Sequence, residues 1–202
     1  VGELTKTLAA EGLTNNTLIV FCSDNGPVLD DGYQDDAVEK NGSHRAAGPY
    51  SGGKYSVYEG GTRTPFITSW PGTIVPGVSD EIVCTIDLAT SLATLVGQPI
   101  PADACLDSLD VSAALLGKPN ARGRDYLIEQ DNGNSGNFGL RVGTWKLLRH
   151  DKKQARNLKV EQQLTNTPVS HFQLFDLATD PGEQNDLTAD RPELASQLAN
   201  RL

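Results

Sequence analysis

The sequence predicts an α/β protein, with a layered helix-and-strand core followed by a small antiparallel sheet plus helix. Three observations carry this. Thr17-Leu18-Ile19-Val20-Phe21 is a compact apolar run bounded by polar residues. Its length and branching favour a strand buried on both faces, as in a parallel sheet. Helical and extended patterns then alternate, as in layered α/β architectures. Near Gly117-Lys118-Pro119-Asn120-Ala121-Arg122-Gly123 the composition shifts, and short extended segments separated by turns take over.

The elements follow in order. Residues 1–12 read as a helix end, with Leu4 and Leu8 on one face and Gly12 as its stop. After the apolar strand, residues 30–43 are polar and acidic and read as a surface loop. Residues 48–62 are rich in glycine. Pro65-Phe66-Ile67-Thr68-Ser69-Trp70 is a second strand, closed by Pro71-Gly72, and residues 82–84 are a candidate third. Residues 86–96 read as a helix with Leu88, Leu92, Leu95 and Val96 on one side and Gly97 at its end. A boundary at residue 120 divides the chain into 1–120 and 121–202. Beyond it, 125–129, 138–142, 144–149 and 172–176 are strand candidates, with Gly143 turning the second into the third. The last helix, 192–202, starts at Pro192 and repeats leucine at 194, 198 and 202.

Composition excludes some functions. The net charge of −9 over 202 residues argues against a nucleic-acid partner, which needs a basic face for the phosphates. No apolar run approaches the roughly 18 residues of a membrane span. Methionine is absent and no signal-peptide pattern opens the chain, so the sequence reads as processed, truncated or a fragment. Cys22, Cys84 and Cys105 have no zinc-like spacing. One disulfide at most is open to them, Cys84 with Cys105; three free or buried thiols is the plainer reading.

Two segments carry chemistry. Ser23-Asp24-Asn25-Gly26 follows the apolar strand immediately, and in open α/β sheets functional groups gather at strand carboxyl ends. Asp24 and Asn25 offer adjacent hard oxygen donors of the kind calcium or magnesium takes. Asp-Asn-Gly is equally an ordinary turn. The second segment is Gly52-Gly53-Lys54, where glycines permit close backbone approach and the lysine is a point charge suited to an anionic oxygen. Between residues 41 and 65, Arg45, Lys54 and Arg63 stand against one acid, Glu59. The spacing is not that of a Walker loop, and a solvated loop lysine is the competing reading.

Taken together, Leu18-Ile19-Val20-Phe21, Ser23-Asp24-Asn25-Gly26-Pro27, Gly48-Pro49-Tyr50-Ser51-Gly52-Gly53-Lys54 and Tyr58-Glu59-Gly60-Gly61-Thr62-Arg63-Thr64-Pro65-Phe66 closely resemble the sulfatase family in order and spacing. Trp70-Pro71-Gly72, Thr85-Ile86-Asp87-Leu88, Gly143-Thr144-Trp145-Lys146-Leu147, Leu174-Phe175-Asp176-Leu177, Asp180-Pro181-Gly182-Glu183 and Asn185-Asp186-Leu187 fit it too, so the resemblance covers nearly the whole chain.

The resemblance implies the C-terminal part of an alkaline-phosphatase-like α/β/α sandwich, with a small C-terminal α+β subdomain. It implies hydrolysis of sulfate monoesters, with sulfated carbohydrates favoured over other sulfated small molecules because the His44-Arg45 loop resembles polysaccharide-active members. Asp24 and Asn25 match divalent-metal ligands, for Ca2+ with Mg2+ as the alternative, and Lys54 matches a sulfate-contacting lysine. His44 falls near the expected substrate position, where an imidazole can exchange a proton near neutrality; substrate positioning and a plain loop role stay open. Arg45 is a candidate for steering an anionic sugar sulfate. Glu59 with Arg63 reads as an internal structural pair, and Asp87 as a helix N-terminal residue.

The chain also departs from the family pattern. The family's nucleophile is a formylglycine made in a C-x-P-S-R-like motif, and none of the three cysteines is followed that way. The early acidic metal ligands have no match either. Both are expected upstream of Val1, in the remainder of a sulfatase chain, so these residues alone are expected not to turn over. Export to a periplasmic, secreted or lysosomal location is what the family commonly shows. The alternatives are a phosphate or phosphonate ester hydrolase of the same superfamily, which would carry an unmodified Ser or Thr nucleophile, and a non-catalytic binder of anionic glycans.

Overall fold

A computed structural model describes residues 1–28, 33–131, 136–151 and 170–202. In chain order its elements are α1 (Gly2–Ala10), β1 (Ile19–Cys22), α2 (Ala37–Asn41), α3 (Glu59–Thr62), β2 (Phe66–Ser69), α4 (Leu88–Leu95), α5 (Ser112–Leu115), β3 (Leu127–Gln130), β4 (Phe138–Val142), β5 (Trp145–Arg149), β6 (Phe172–Asp176) and α6 (Pro192–Ala199). The α/β class with a small antiparallel sheet plus helix is as expected. The chain forms two units. One comprises Val1–Cys22 and Pro65–Asp125, the other Ser23–Thr64 and Tyr126–Leu202. The segment bearing Asp24 and Lys54 is therefore part of the same unit as the small sheet.

In the first unit, β1 pairs with β2 antiparallel, Ile19 opposite Ser69 and Cys22 opposite Phe66. This corrects the expectation of a strand buried on both faces: Phe21 is 48% exposed and Ile67 57%. An apolar run specifies a face that has to be covered, not which chain segment covers it. Residues 82–84 form no strand. Arg124 N–H donates to Ile82 O at 2.7 Å, one bond where a ladder needs a repeat. A short 3-10 turn at Thr85–Asp87 leads into α4. Leu92 and Val96 of the expected apolar stripe are exposed, and Ser91 is the residue turned fully inward. Ser91 Oγ accepts from Val111 N–H at 2.9 Å and donates to Leu109 O at 3.4 Å. These polar tethers fix which side of the helix is inside. Asp87 lies at the helix start as expected, fully buried. The three cysteines are free, Cys22 and Cys105 exposed.

In the second unit, β3-β4-β5-β6 is a four-stranded antiparallel meander. Strand limits match the sequence pattern closely because Gly143, at φ +59°, makes the tight β4–β5 turn. Side chains alternate across the sheet. One face puts Leu140, Leu147 and Leu174 against Ala195 and Leu198 of α6, with Leu194 and Leu202 packed at the margin. The leucine spacing of four thus meets the sheet as expected. The other face puts Leu148 and Phe175 against Val57, Tyr58 and Leu177. Lys146 is two residues before Leu148 and shares that second face, where it is fully buried. The polar run 131–137 between β3 and β4 falls largely outside the described residues.

Candidate active site

The site grows from the end of β1. Residues 23–27 leave the strand in a tight turn, with Ser23 Oγ donating to Asn25 O and Asn25 Nδ2 donating to Gly26 O, both at 2.9 Å. Gly26 N–H donates to Gly61 O at 2.9 Å. The approach is so close that a Cβ at Gly26 would stand 1.8 Å from Gly60 O. Gly60 is equally constrained, since its Cβ would lie 2.4 Å from both Ser51 O and Gly52 O. Only glycine lets three backbone segments stack here: 24–27, 51–53 and 59–61.

Lys54 lies in the middle of this stack. Its N–H donates to Pro27 O at 2.9 Å, which joins the lysine segment directly to the Asp24–Asn25 turn. Its side chain is half-buried, with Nζ 5.2 Å from the Tyr55 ring centroid. Tyr55 holds φ +80°, a conformation costly for a bulky side chain. Such outliers persist where the surroundings over-determine them, and here one adjoins a candidate anion-binding lysine.

The remaining candidates are less tied. His44 and Arg45 are exposed in the turns after α2, held by backbone bonds within their own segment, His44 N–H to Asn41 O at 3.1 Å and Gly48 N–H to Arg45 O at 2.9 Å. Among the described residues no hydrogen bond or ion pair joins either to Asp24, Asn25 or Lys54. Asp24 is exposed and Asn25 half-buried. Their two oxygen donors fit a hard divalent cation by type, but calcium takes about six to eight oxygens. Among the described residues no group of three or more His, Cys, Asp or Glu is arranged to hold a metal. Asp24 and Asn25 are thus part of a shell at most.

Sequence reasoning missed what lies behind this stack. Glu59, at the start of α3, is fully buried. Its Oε2 meets Arg63 Nη1 at 3.1 Å, the expected pair, and Arg141 Nη1 at 3.7 Å. Its Oε1 meets Lys146 Nζ at 2.8 Å. Lys146 also reaches Glu129 Oε2 at 2.9 Å and Glu183 Oε1 at 3.5 Å. Burial alone would raise the Glu59 pKa, but the Lys146 ammonium and the two guanidiniums outweigh it and hold the carboxyl below the usual range. Burial would likewise lower Lys146, yet the three carboxylates hold it above the ordinary lysine value. Glu183 is shifted the other way from Glu59. Burial pushes it up to about 7, against the pull of Lys146 and the Glu59 N–H.

The sulfatase family profile matches residues 1–98. The full chain aligns with the N-acetylgalactosamine-6-O-sulfatase of Bacteroides thetaiotaomicron at 41% identity, covering 100% of this chain and 39% of that protein. The chain belongs to the sulfatase family. Human arylsulfatase A is 32% identical over 93% of this chain and 36% of its own length. A solved Bacteroides thetaiotaomicron structure, from work on the metabolism of multiple glycosaminoglycans, superposes with TM-score 0.85 and 39% identity, covering 98% of this chain and 40% of that one. Ps i-CgsB, solved in complex with k-i-k-neocarrahexaose, is 25% identical with TM-score 0.69 over 99% of this chain and 38% of its own. The chain has the alkaline-phosphatase-like sulfatase fold over the matched part, and it spans about two fifths of the curated relatives' length.

Proposed function

We propose that the protein hydrolyses sulfate monoesters of sulfated carbohydrates, with Asp24 and Asn25 as ligands of a divalent cation, Ca2+ in the first instance, and Lys54 as the sulfate-binding cation. The observation that carries this is the Lys54 N–H bond to Pro27 O at 2.9 Å. It makes the two oxygen donors and the lysine parts of one stacked loop structure. Relatives named as sulfatases acting on N-acetylgalactosamine 6-sulfate, and a carbohydrate complex of Ps i-CgsB, favour a sugar substrate.

In this reading a divalent cation bound there would supply charge neutralisation at the sulfate. Asp24 and Asn25 hold it with hard oxygens. Lys54 binds a sulfate oxygen and stabilises charge that develops as the ester bond to sulfur breaks. His44, exposed beside Arg45, meets the leaving sugar oxygen as proton donor, and Arg45 draws the anionic sugar inward. The nucleophile, a formylglycine, is assigned to the remainder of the protein, since no cysteine here has the C-x-P-S-R context.

The test uses the full-length protein with a 6-O-sulfated N-acetylgalactosamine, 4-nitrophenyl sulfate and 4-nitrophenyl phosphate. Lys54→Ala should lower kcat/KM by roughly 10²–10³-fold, and Arg63→Lys by less than about tenfold. Asp24→Ala should abolish the heat of Ca2+ binding. Comparable losses in Lys54→Ala and Arg63→Lys, with both folded, would sink the assignment of Lys54. Preference for the phosphate ester would move the protein to the phosphate-ester class.

A further inference from the structure

We propose that the turn at residues 180–184, together with Lys146, positions the Lys54 loop and through it the Asp24–Asn25 turn; Glu183, Glu59, Lys146 and Ser51 are then positioning residues for cation and sulfate binding. This rests on the site assigned above. The turn grips the Lys54 segment at both ends. At the near end, Ser51 Oγ donates to Gly182 O at 2.6 Å, and Gln184 Nε2 donates to Ser51 Oγ at 2.7 Å. A Cβ at Gly182 would stand 2.9 Å from Pro49 O, so the two backbones are in direct contact. At the far end, Glu59 N–H donates to Glu183 Oε2 at 2.7 Å. Lys54 lies between these two anchors.

The turn is itself rooted in the sheet. Asp180 N–H donates to Asp176 O at 2.8 Å, at the end of β6. Asp180 Oδ2 accepts from Gln184 and Asn185 N–H, both at 2.8 Å. Lys146 on β5 then ties Glu59, Glu129 and Glu183 from below. From the sheet to the site the path is continuous: β6 to the 180–184 turn, to Ser51 and Glu59, to Lys54, to Pro27.

Two features argue that this arrangement is retained for position. Glu183 holds φ +53°, a left-handed conformation that glycine would adopt at lower cost, yet here the residue is the acid whose carboxylate receives the Glu59 amide. Three acids share one fully buried ammonium, whereas apolar side chains of similar volume commonly give equal or better stability. What charged partners add is directional constraint. An anion-binding lysine needs that constraint, because a displacement of about 1 Å can cost on the order of 10²-fold in rate.

The experiment compares wild type, Glu183→Ala, Glu183→Gln and the double variant Ser51→Ala/Gln184→Ala in the full-length protein. It reads Ca2+ affinity by calorimetry, kcat and KM on the sulfated sugar, and the melting midpoint. Well below that midpoint, Glu183→Ala should weaken Ca2+ binding and lower kcat by at least about tenfold. Glu183→Gln keeps an acceptor for the Glu59 amide and should recover most of both. The double variant leaves the buried charges intact and should show a smaller loss, about threefold to fivefold; it decides the matter if Glu183→Ala does not fold. Folded variants with lower melting midpoints but unchanged Ca2+ affinity and kcat would overturn the positioning role. Asp24→Ala separates the two claims: if it abolishes Ca2+ binding while the Glu183 and Ser51 variants do not weaken it, only the positioning role falls. If Asp24→Ala binds Ca2+ normally, the site assignment falls and takes this proposal with it.

Discussion

Asp87 in the first unit and Glu59 in the second are both fully buried carboxylates, but they are neutralised in different ways. Asp87 meets one cation, with Arg124 Nε at 2.8 Å from Oδ2 and Nη2 at 2.5 Å from Oδ1, a two-pronged pair. Its remaining capacity goes to backbone: Cys84 N–H at 3.0 Å and Leu109 N–H at 2.9 Å. The result is a closed knot joining the start of α4 to the segments around 109 and 124. Glu59 instead shares its charge among Lys146, Arg63 and Arg141, and its principal cation is shared with Glu129 and Glu183. The Asp87–Arg124 pair acts on the segments it touches, and Arg124 Nη2 donates also to Asp107 O in the same unit. A shared cluster links every segment that contributes to it, and here those include residues 59–63, where Gly61 O accepts from Gly26 N–H, and the 180–184 turn, where Gly182 O accepts from Ser51 Oγ.

Removing one charged partner from each should expose the difference. Lys146→Met leaves three carboxylates facing one another without their ammonium. It should destabilise the protein by about 3–5 kcal/mol, as expected when a buried charge loses its partner. Urea denaturation of the full-length protein checks this, and a loss under about 1 kcal/mol would mean that water or rearrangement reaches the cluster.

Asp87→Ala should cost somewhat less, roughly 2–4 kcal/mol, because Arg124 is left with 10% side-chain exposure and can turn toward solvent. Its partners Cys84, Leu109 and Arg124 all belong to the first unit. The loss should therefore appear in the melting midpoint while Ca2+ affinity stays within about twofold of wild type. Stability and affinity falling together in Asp87→Ala would erase the contrast between a closed knot and a coupling cluster.

The same contrast separates what the sequence revealed from what it hid. The limits of β4, β6 and α6 were legible because alternation, Gly143 and the leucine spacing are local signals. The Glu59–Arg63 pair was legible from its spacing of four. Lys146 was not: within Trp145-Lys146-Leu147 a lysine reads as the solvent-facing member of an alternating strand. The available signal was its face. Leu148 and Phe175 share that side of the sheet, and a side bearing two large apolar residues is seldom wet. The Arg124 partner of Asp87 was hidden for another reason, since 37 residues separate them and a composition shift falls between. The β1 face was misread because periodicity states that an apolar run must be covered, and the partner that covers it is a tertiary fact. Asp24, Asn25 and Lys54 were singled out by motif alone. Close packing through Gly26 and Gly60, which ties their loops together, leaves no mark in the sequence beyond the glycines themselves.

The smallest effect is also the most diagnostic of shared neutralisation. Glu183 faces Glu59, Glu129 and Lys146, with Arg63 and Arg141 paired to Glu59, and its carboxyl is pushed up to about 7. A folded-state value above the unfolded one means that the native protein holds a proton the unfolded chain has released. That contribution to stability is complete below the ordinary carboxylate range and is lost as the pH rises through about 7. Glu183→Gln removes the titrating group but keeps an acceptor for the Glu59 amide. Relative to wild type it should gain on the order of 2 kcal/mol in stability as the pH is raised from about 5 to about 7. Glu59, whose carboxyl is held below its usual range, contributes the opposite slope at more acidic pH. Denaturation midpoints of wild type and Glu183→Gln across that range test it. Parallel curves would mean that Glu183 is ionised alongside Glu59 and Glu129, so that one ammonium and two guanidiniums balance all three acids.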